Sequence, residues 1–325
     1  MLRRFLSTGI LVAATSLSWA LSPAIGTPVL HDLNLGQADD ALQRLNAVLA
    51  QTPSDAEAHN LRCRVYYQEE LWDPAIGDCE MAVRLDPNNS NDHLWLGRAY
   101  GLKAQHVSII SGYKLAHKVA AEFQKAAELD PRNKEALADL GEFDVEAPSV
   151  AGGGLNKAAA VAQQMQAVDP VSALTLEARI AESRRDHVTA EADYKSAIAA
   201  CPRPSGPWMD LAGFYQRRKR IPDMVAAARS AVAADPKHGP VLVDAASALA
   251  KAGVDQPIAI QWLQQYLNSR AQREDTPAFA VRAELARLLQ EQGDFTGAQQ
   301  QLAAAHALAS GYRIPGTNVA SRAGL

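Results

Sequence analysis

The chain has 325 residues, of which 48% are hydrophobic, only 6% aromatic and 21% charged, with a formal net charge of −4. Few aromatics beside abundant Ala, Leu, Gln and Glu favour an all-helical protein with a well-filled core over a sheet. The weakly acidic balance gives no electrostatic case for nucleic acid or an anionic membrane as partner.

From the N-terminus, Arg3 and Arg4 precede the apolar run Phe5 to Ala20, and no charged residue follows until Asp32. A basic start, a short apolar core and the small residues Ser18 and Ala20 around Trp19 have the layout of a secretory signal peptide. Cleavage near Ala20 is therefore expected, leaving a periplasmic or otherwise exported protein without an integral membrane segment. The alternative is a retained anchor, against which Pro23 and the short run count, since a spanning helix needs about 20 apolar residues.

Beyond this segment, prolines expected to end helices recur at Pro53, Pro87, Pro131, Pro170, Pro202 and Pro236. Their spacings are 34, 44, 39, 32 and 34 residues, and four follow an Asp: Asp86, Asp130, Asp169 and Asp235. A period near 34 in a helical, Ala-rich chain predicts stacked helical hairpins. Ala82, Ala126, Ala197 and Ala231 fall in the middle of the helices before four of these prolines, and further back stand the small residues Cys63, Gly97, Gly141, Ala212 and Ala246. Gly97 lies in the stretch HLWLGRAYG, where a helical Gly costs about 1 kcal/mol against Ala. Its lack of a side chain is expected to let the two helices of a hairpin approach closely.

Leu96, Gly97, Tyr100, Phe123, Ala126 and Pro131 together resemble the pattern of the tetratricopeptide-repeat (TPR) family. The resemblance implies an all-α, right-handed superhelical solenoid of about eight antiparallel helix hairpins. The expected organisation is a signal peptide at 1–20, a degenerate first unit at 21–55 with a short first helix, and TPR units at 56–89, 90–133 and 134–172. A short unit at 173–204 follows, then units at 205–238, 239–278 and 279–310, and a poorly ordered tail at 311–325.

Two units depart from the plain repeat. The one ending at Pro131 carries ten extra residues, and Ile109, Tyr113, Ala116, Ala120, Phe123 and Ala127 keep three-four spacing through them. Its second helix should start early and make the hairpin project by about 7 Å. The unit ending at Pro170 carries five extra residues within EAPSVAGGGLNKA, a turn like that of uncharacterised exported bacterial TPR proteins, which the chain resembles. Gly152, Gly153 and Gly154 form a possible ligand turn, because successive N–H groups before a helix can hold an anion. No Gly-Lys-Ser/Thr follows them, and a flexible turn is the alternative.

The eight His residues form no short ligand pair and no nucleophile elbow occurs, so no catalytic residue, metal site or cofactor is expected. His59 and His93 share a repeat position and should pack with one ring nitrogen in water. The functional surface of a solenoid is usually its concave face, lined by first helices. That face nominates Asn60, Arg64, Tyr67, Asn91, Arg98 and Glu142 as a partner groove, with Asn and Arg on adjacent helices gripping a peptide carboxylate or backbone. The expected function is an exported, non-catalytic scaffold for a protein or peptide partner. A small-molecule-binding accessory of a transport system is the alternative, and an enzyme a more distant one.

Cys63 and Cys79 each lie eight residues from Leu71, the centre of a predicted turn. An antiparallel hairpin sets them level, and its close helices bring their Cα atoms within the roughly 4.4–6.8 Å a disulfide needs. Two buried free thiols are the alternative. Cys201 has no partner by the same count.

Overall fold

A computed structural model describes residues 23–314, which form sixteen α-helices and no strand. The first eight are α1 (Pro23–Leu35), α2 (Ala38–Gln51), α3 (Ala56–Gln68), α4 (Trp72–Leu85), α5 (Ser90–Ala104), α6 (Ile109–Leu129), α7 (Lys134–Glu146) and α8 (Leu155–Met165). The second eight are α9 (Pro170–Ser183), α10 (His187–Ala200), α11 (Ser205–Arg217), α12 (Ile221–Ala233), α13 (Val241–Ala252), α14 (Gln256–Leu267), α15 (Ala278–Glu291) and α16 (Phe295–His306). The expected signal peptide lies outside the described residues.

Consecutive helices pair as antiparallel hairpins, and the odd-numbered helices also pack on one another from α1 through α13, forming an inner layer. Polar caps start several of them: Asp55, Asn133 and Asp169 accept the Ala58, Ala136 and Ser172 N–H groups, satisfying donors the helix itself leaves open. Pro170 does not end a helix, as its Asp-Pro pair suggests. It opens α9 at the first helical position, where a missing N–H costs nothing. The first helix is no short remnant either, because α1 runs 13 residues with Pro28 inside it.

Gly97 meets its expectation. A Cβ there would lie 2.5 Å from the Phe123 ring of α6, so α5 and α6 pack as closely as they do only over a bare backbone.

The period of the sequence gives no hint of what the two ends do. Phe279 of α15 is fully buried in one core with Val29, Leu33 and Ala38 of the first hairpin, joined by Ala305 and Ala309. Gly36, at φ +63°, ends α1 so close to α15 that a Cβ would stand 2.5 Å from the Ala278 nitrogen. The Asp39 N–H donates to Leu308 O at 3.1 Å, and the Asp39 carboxylate accepts the Ser310 N–H and hydroxyl. Gly311 donates its N–H to Glu69 at 3.1 Å, and the Tyr312 ring lies 4.8 Å from that of Phe279. The last hairpin thus docks on the first, and the solenoid closes on itself. The reading of a poorly ordered tail is corrected for Gly311–Ile314, which this closure packs down; residues 315–325 lie outside the described residues.

Cys63 and Cys79 form a disulfide between α3 and α4, with Cα atoms 5.4 Å apart. Both are fully buried at the position equivalent to the Gly97–Phe123 contact. Cys201 is free and donates its thiol to Arg203 O. Alkylation followed by intact mass should therefore show one modified Cys before reduction and three after. Replacing the pair by Ser should cost about 3 kcal/mol for a loop of this length. Three alkylations without reductant would contradict the bridge.

Candidate functional site

The first helices face inward, and α3 and α5 together with residues 273–280 enclose a cavity of about 820 Å³ on that concave side. Its floor is Trp95, 8% exposed. The Tyr67 ring stands edge-on to Trp95 at 5.5 Å, and the guanidinium groups of Arg64 and Arg98 lie over the indole at 5.1 and 4.6 Å. Cations over an aromatic face gain from the ring quadrupole, more so where water is scarce.

Both arginines are already neutralised within the chain. Arg64 is ion-paired with Glu274, 210 residues away, across the closure. Arg98 donates to Asp139 at 2.6 Å and to Glu135 at 3.1 Å, both on α7. The pattern continues round the inner layer: Arg179 of α9 pairs with Glu142 and Glu146 of α7, and Arg217 of α11 donates twice to Glu182 of α9 at 2.8 Å. Arginines on first helices therefore tie neighbouring hairpins together. On the cavity wall, the side-chain donors of the exposed Asn91 and Arg273, and the Tyr67 hydroxyl, have no hydrogen-bond partner among the described residues.

Of the six groove candidates, Arg64, Tyr67, Asn91 and Arg98 come together on this cavity. Asn60 does not: it is 4% exposed, buried between α3 and α5 beside Asp92. Glu142 lies apart in the Arg179 pair. Trp95, Arg273 and Glu274 were missed. Trp95 was legible, because Asn91, Trp95 and Arg98 share one face by three-four spacing, while Leu94 beside it is turned into the core. Arg273 and Glu274 sit in the connection between α14 and α15, outside any repeat position.

Two of the three N–H groups of the Gly-rich turn are taken by the chain itself, and that of Gly153 has no partner among the described residues. Gly152 N–H donates to Ser149 O and Gly154 N–H to Asp144 O, while Lys157 Nζ reaches Gly152 O at 2.5 Å. Gly152 and Gly154 take φ +100° and +145°, backbone that other residues rarely adopt, which is reason enough for glycine there. His59 and His93 also differ from expectation, since neither ring nitrogen is left to water. Each bonds a carboxylate of the partner helix through Nδ1, Asp78 at 2.8 Å and Glu122 at 2.6 Å. Each bonds a proline carbonyl six residues back through Nε2, Pro53 and Pro87. The Glu122 hydrogen bond holds the His93 imidazolium above its usual pKa. Among the described residues no group of three or more His, Cys, Asp or Glu is placed to hold a metal ion.

A closed, two-layer stack of helical hairpins with an aromatic-floored concave cavity is the architecture of a helical-repeat scaffold. A family model for the tetratricopeptide repeat matches residues 29–90. The yeast Tom70 structure aligns over 84% of this chain and 55% of its own, at 14% identity and a TM-score of 0.52, so this chain spans about half of Tom70. TPR structures from Thermus thermophilus and Parabacteroides merdae align at 20% and 13% identity, each with a TM-score of 0.49. They cover 59% and 82% of this chain, and 99% and 98% of their own. No curated protein matches the chain. Residues 29–90 match the tetratricopeptide repeat, and the described residues fold as a solenoid of helical hairpins like that of the TPR structures.

Asp92 offers a check on the buried polar seam behind the cavity. It is 2% exposed, and burial, then the charge of Asp86, pushes its carboxyl up to about 7, opposed by the Asn60 amide and His93. Between the ordinary carboxylate range and about 7, the fold holds a proton that the unfolded chain has released, so stability falls as pH rises through that window. Above it the native chain carries a buried charge. Asp92→Asn removes that charge, so the variant should gain stability over the parent at about pH 8 and little or none at about pH 5. Denaturant melts at the two pH values read this directly, and an equal effect at both would contradict the assignment.

Proposed function

We propose that this protein is an exported, non-catalytic scaffold that binds a protein or peptide partner in its concave cavity. TPR folds serve as protein-interaction scaffolds in general, and the observation that carries the specific reading is the cavity itself. It joins a Trp95 floor and the Tyr67 hydroxyl to the uncommitted donors Asn91 and Arg273, on walls that come from distant parts of the chain. Aromatic rings supply rigid contact area, and the donors suit backbone carbonyls or a carboxylate. Arg64 and Arg98 hold the frame. The basic and apolar start of the chain supports export, as does the Cys63–Cys79 bridge, since disulfides persist in oxidising compartments. No helix among the described residues is long and apolar enough to cross a membrane.

A second reading keeps the same cavity and changes its occupant. Its roughly 820 Å³ also suits a small polar molecule, as a transport accessory would bind.

Asn91→Trp with Arg273→Glu should abolish capture of the partner from a periplasmic extract and leave helicity and melting temperature unchanged, because neither side chain belongs to the arginine–carboxylate pairs that join the hairpins. Mass spectrometry of the captured material separates the two occupants. Undiminished capture of protein and small molecule alike by the double variant would contradict the cavity reading.

A further inference from the structure

In a stack of helical hairpins, the turns inside each hairpin lie along one edge and the turns between hairpins along the other. Ile109, Ile110, Val150, Val188 and Phe295 are 79%, 75%, 69%, 84% and 66% exposed. All five stand on the first edge, at the opening turns of α6, α10 and α16 or in the turn before α8. The opposite edge has only Leu85, at 37%, among the exposed large apolar side chains described. Single exposed apolar residues are ordinary; five gathered on one edge are not scattered.

The two departures from the plain repeat meet on this edge. Helix α6 has 21 residues where α4 has 14, which adds about 10 Å of helix at 1.5 Å per residue. Its opening turns present Ile109, Ile110, Tyr113 and Lys114, with His117 following on the same face. The Gly-rich turn braces it from the side: a Cβ at Gly152 would lie 3.1 Å from Ala120 Cβ and 3.6 Å from His117 Nδ1. That contact sets the exposed Val150 beside α6, and the result is one raised apolar tip.

Charge follows the same edge. The chain holds 36 acidic residues, yet none occurs between Asp92 and Glu122, where Lys114 and Lys118 stand and Lys103 is ion-paired with Asp73. Further along, Arg184, Arg185, Arg218 and Lys219 are exposed and form no ion pair among the described residues. The acids of this arc are committed: Glu146 to Arg179, Asp223 to Arg220, and Asp186 to capping α10 through Thr189. A net charge of −4 therefore conceals a basic arc with an apolar tip on this edge, from α6 to α12, while the first, second and last turns of the edge carry the exposed Asp40, Glu70 and Glu291.

We infer that this edge docks on an anionic lipid surface, with Ile109, Ile110 and Tyr113 entering the acyl boundary and the Lys and Arg side chains meeting headgroups. Apolar insertion joined to a basic surround is the pairing that holds a protein at such an interface. A projecting tip with cations spread behind it suits a yielding surface, whereas a protein partner would be met by a groove. The inference is independent of the cavity, which opens on the concave face.

The test is vesicle flotation. The closure begins at Val29, so the chain from Leu21 onward keeps every closing contact and leaves out the apolar N-terminal run. It should float with vesicles of equal phosphatidylglycerol and phosphatidylcholine, fail to float with phosphatidylcholine alone, and be released by salt. Ile109→Ser with Ile110→Ser should cut binding by about tenfold or more, with circular dichroism unchanged. Arg184→Glu with Arg218→Glu should also weaken it. No binding to the anionic vesicles, or binding undiminished in the Ile109/Ile110 variant, overturns the inference. So does a tip that only self-associates or only captures a soluble acidic protein.

Discussion

The walled cavity of this molecule depends on one close approach, that of Gly36 to the backbone of Ala278. A solenoid held only by nearest-neighbour contacts has two free ends and an open groove, and its stability is roughly a sum over units. Here the first and last hairpins share a core around Phe279, and Arg64, Gln68, Asp39 and Glu69 all reach residues of the C-terminal part. The closure turns a groove into a walled cavity, because residues 273–280 can face α3 and α5 only if the ends meet. It also sets the burial of Glu69, 1% exposed, whose carboxyl is pushed up to about 7 by burial and by the Asp39 charge.

What was legible in the sequence is what lies within one or two repeats. The 34-residue period, the Gly97 contact with Phe123, the early start of α6 and the level placement of Cys63 and Cys79 are all local to a hairpin. For such contacts, chain spacing fixes distance. Four of the six groove candidates line one cavity for the same reason, since first-helix register repeats. Asn60 was misplaced by helical geometry, because a residue one position off the exposed stripe turns into the seam between α3 and α5. The closure was out of reach: Arg64 and Glu274 are separated by 210 residues, and small per-unit rotations decide whether their ends meet. No motif records that sum.

The arginines show how much of the inner face is committed to the chain itself. Arg64 and Arg98 do line the cavity, yet each is held by acids of the chain itself, as are Arg179 and Arg217 on the same inner layer. A guanidinium that bridges two hairpins fixes their relative rotation through its planar fork. The inner face is then a frame of paired charges around a few groups that no ion pair holds: Trp95, Tyr67, Asn91 and Arg273. The long α6 hairpin and the Gly-rich turn lie outside that frame and brace each other, so the insertions enlarge an edge and leave the ring intact.

The closure itself can be measured as a distance. Asp40 and His306 are exposed positions on α2 and α16, beside the contacts that Asp39 makes with Leu308 and Ser310. Spin labels at these two sites, in a chain with Cys201 replaced by Ser, report the separation of the first and last hairpins by pulsed electron resonance. A closed solenoid gives a single narrow distribution at short distance, and Gly36→Val should broaden and lengthen it. A long, broad distribution in the parent chain would contradict the account.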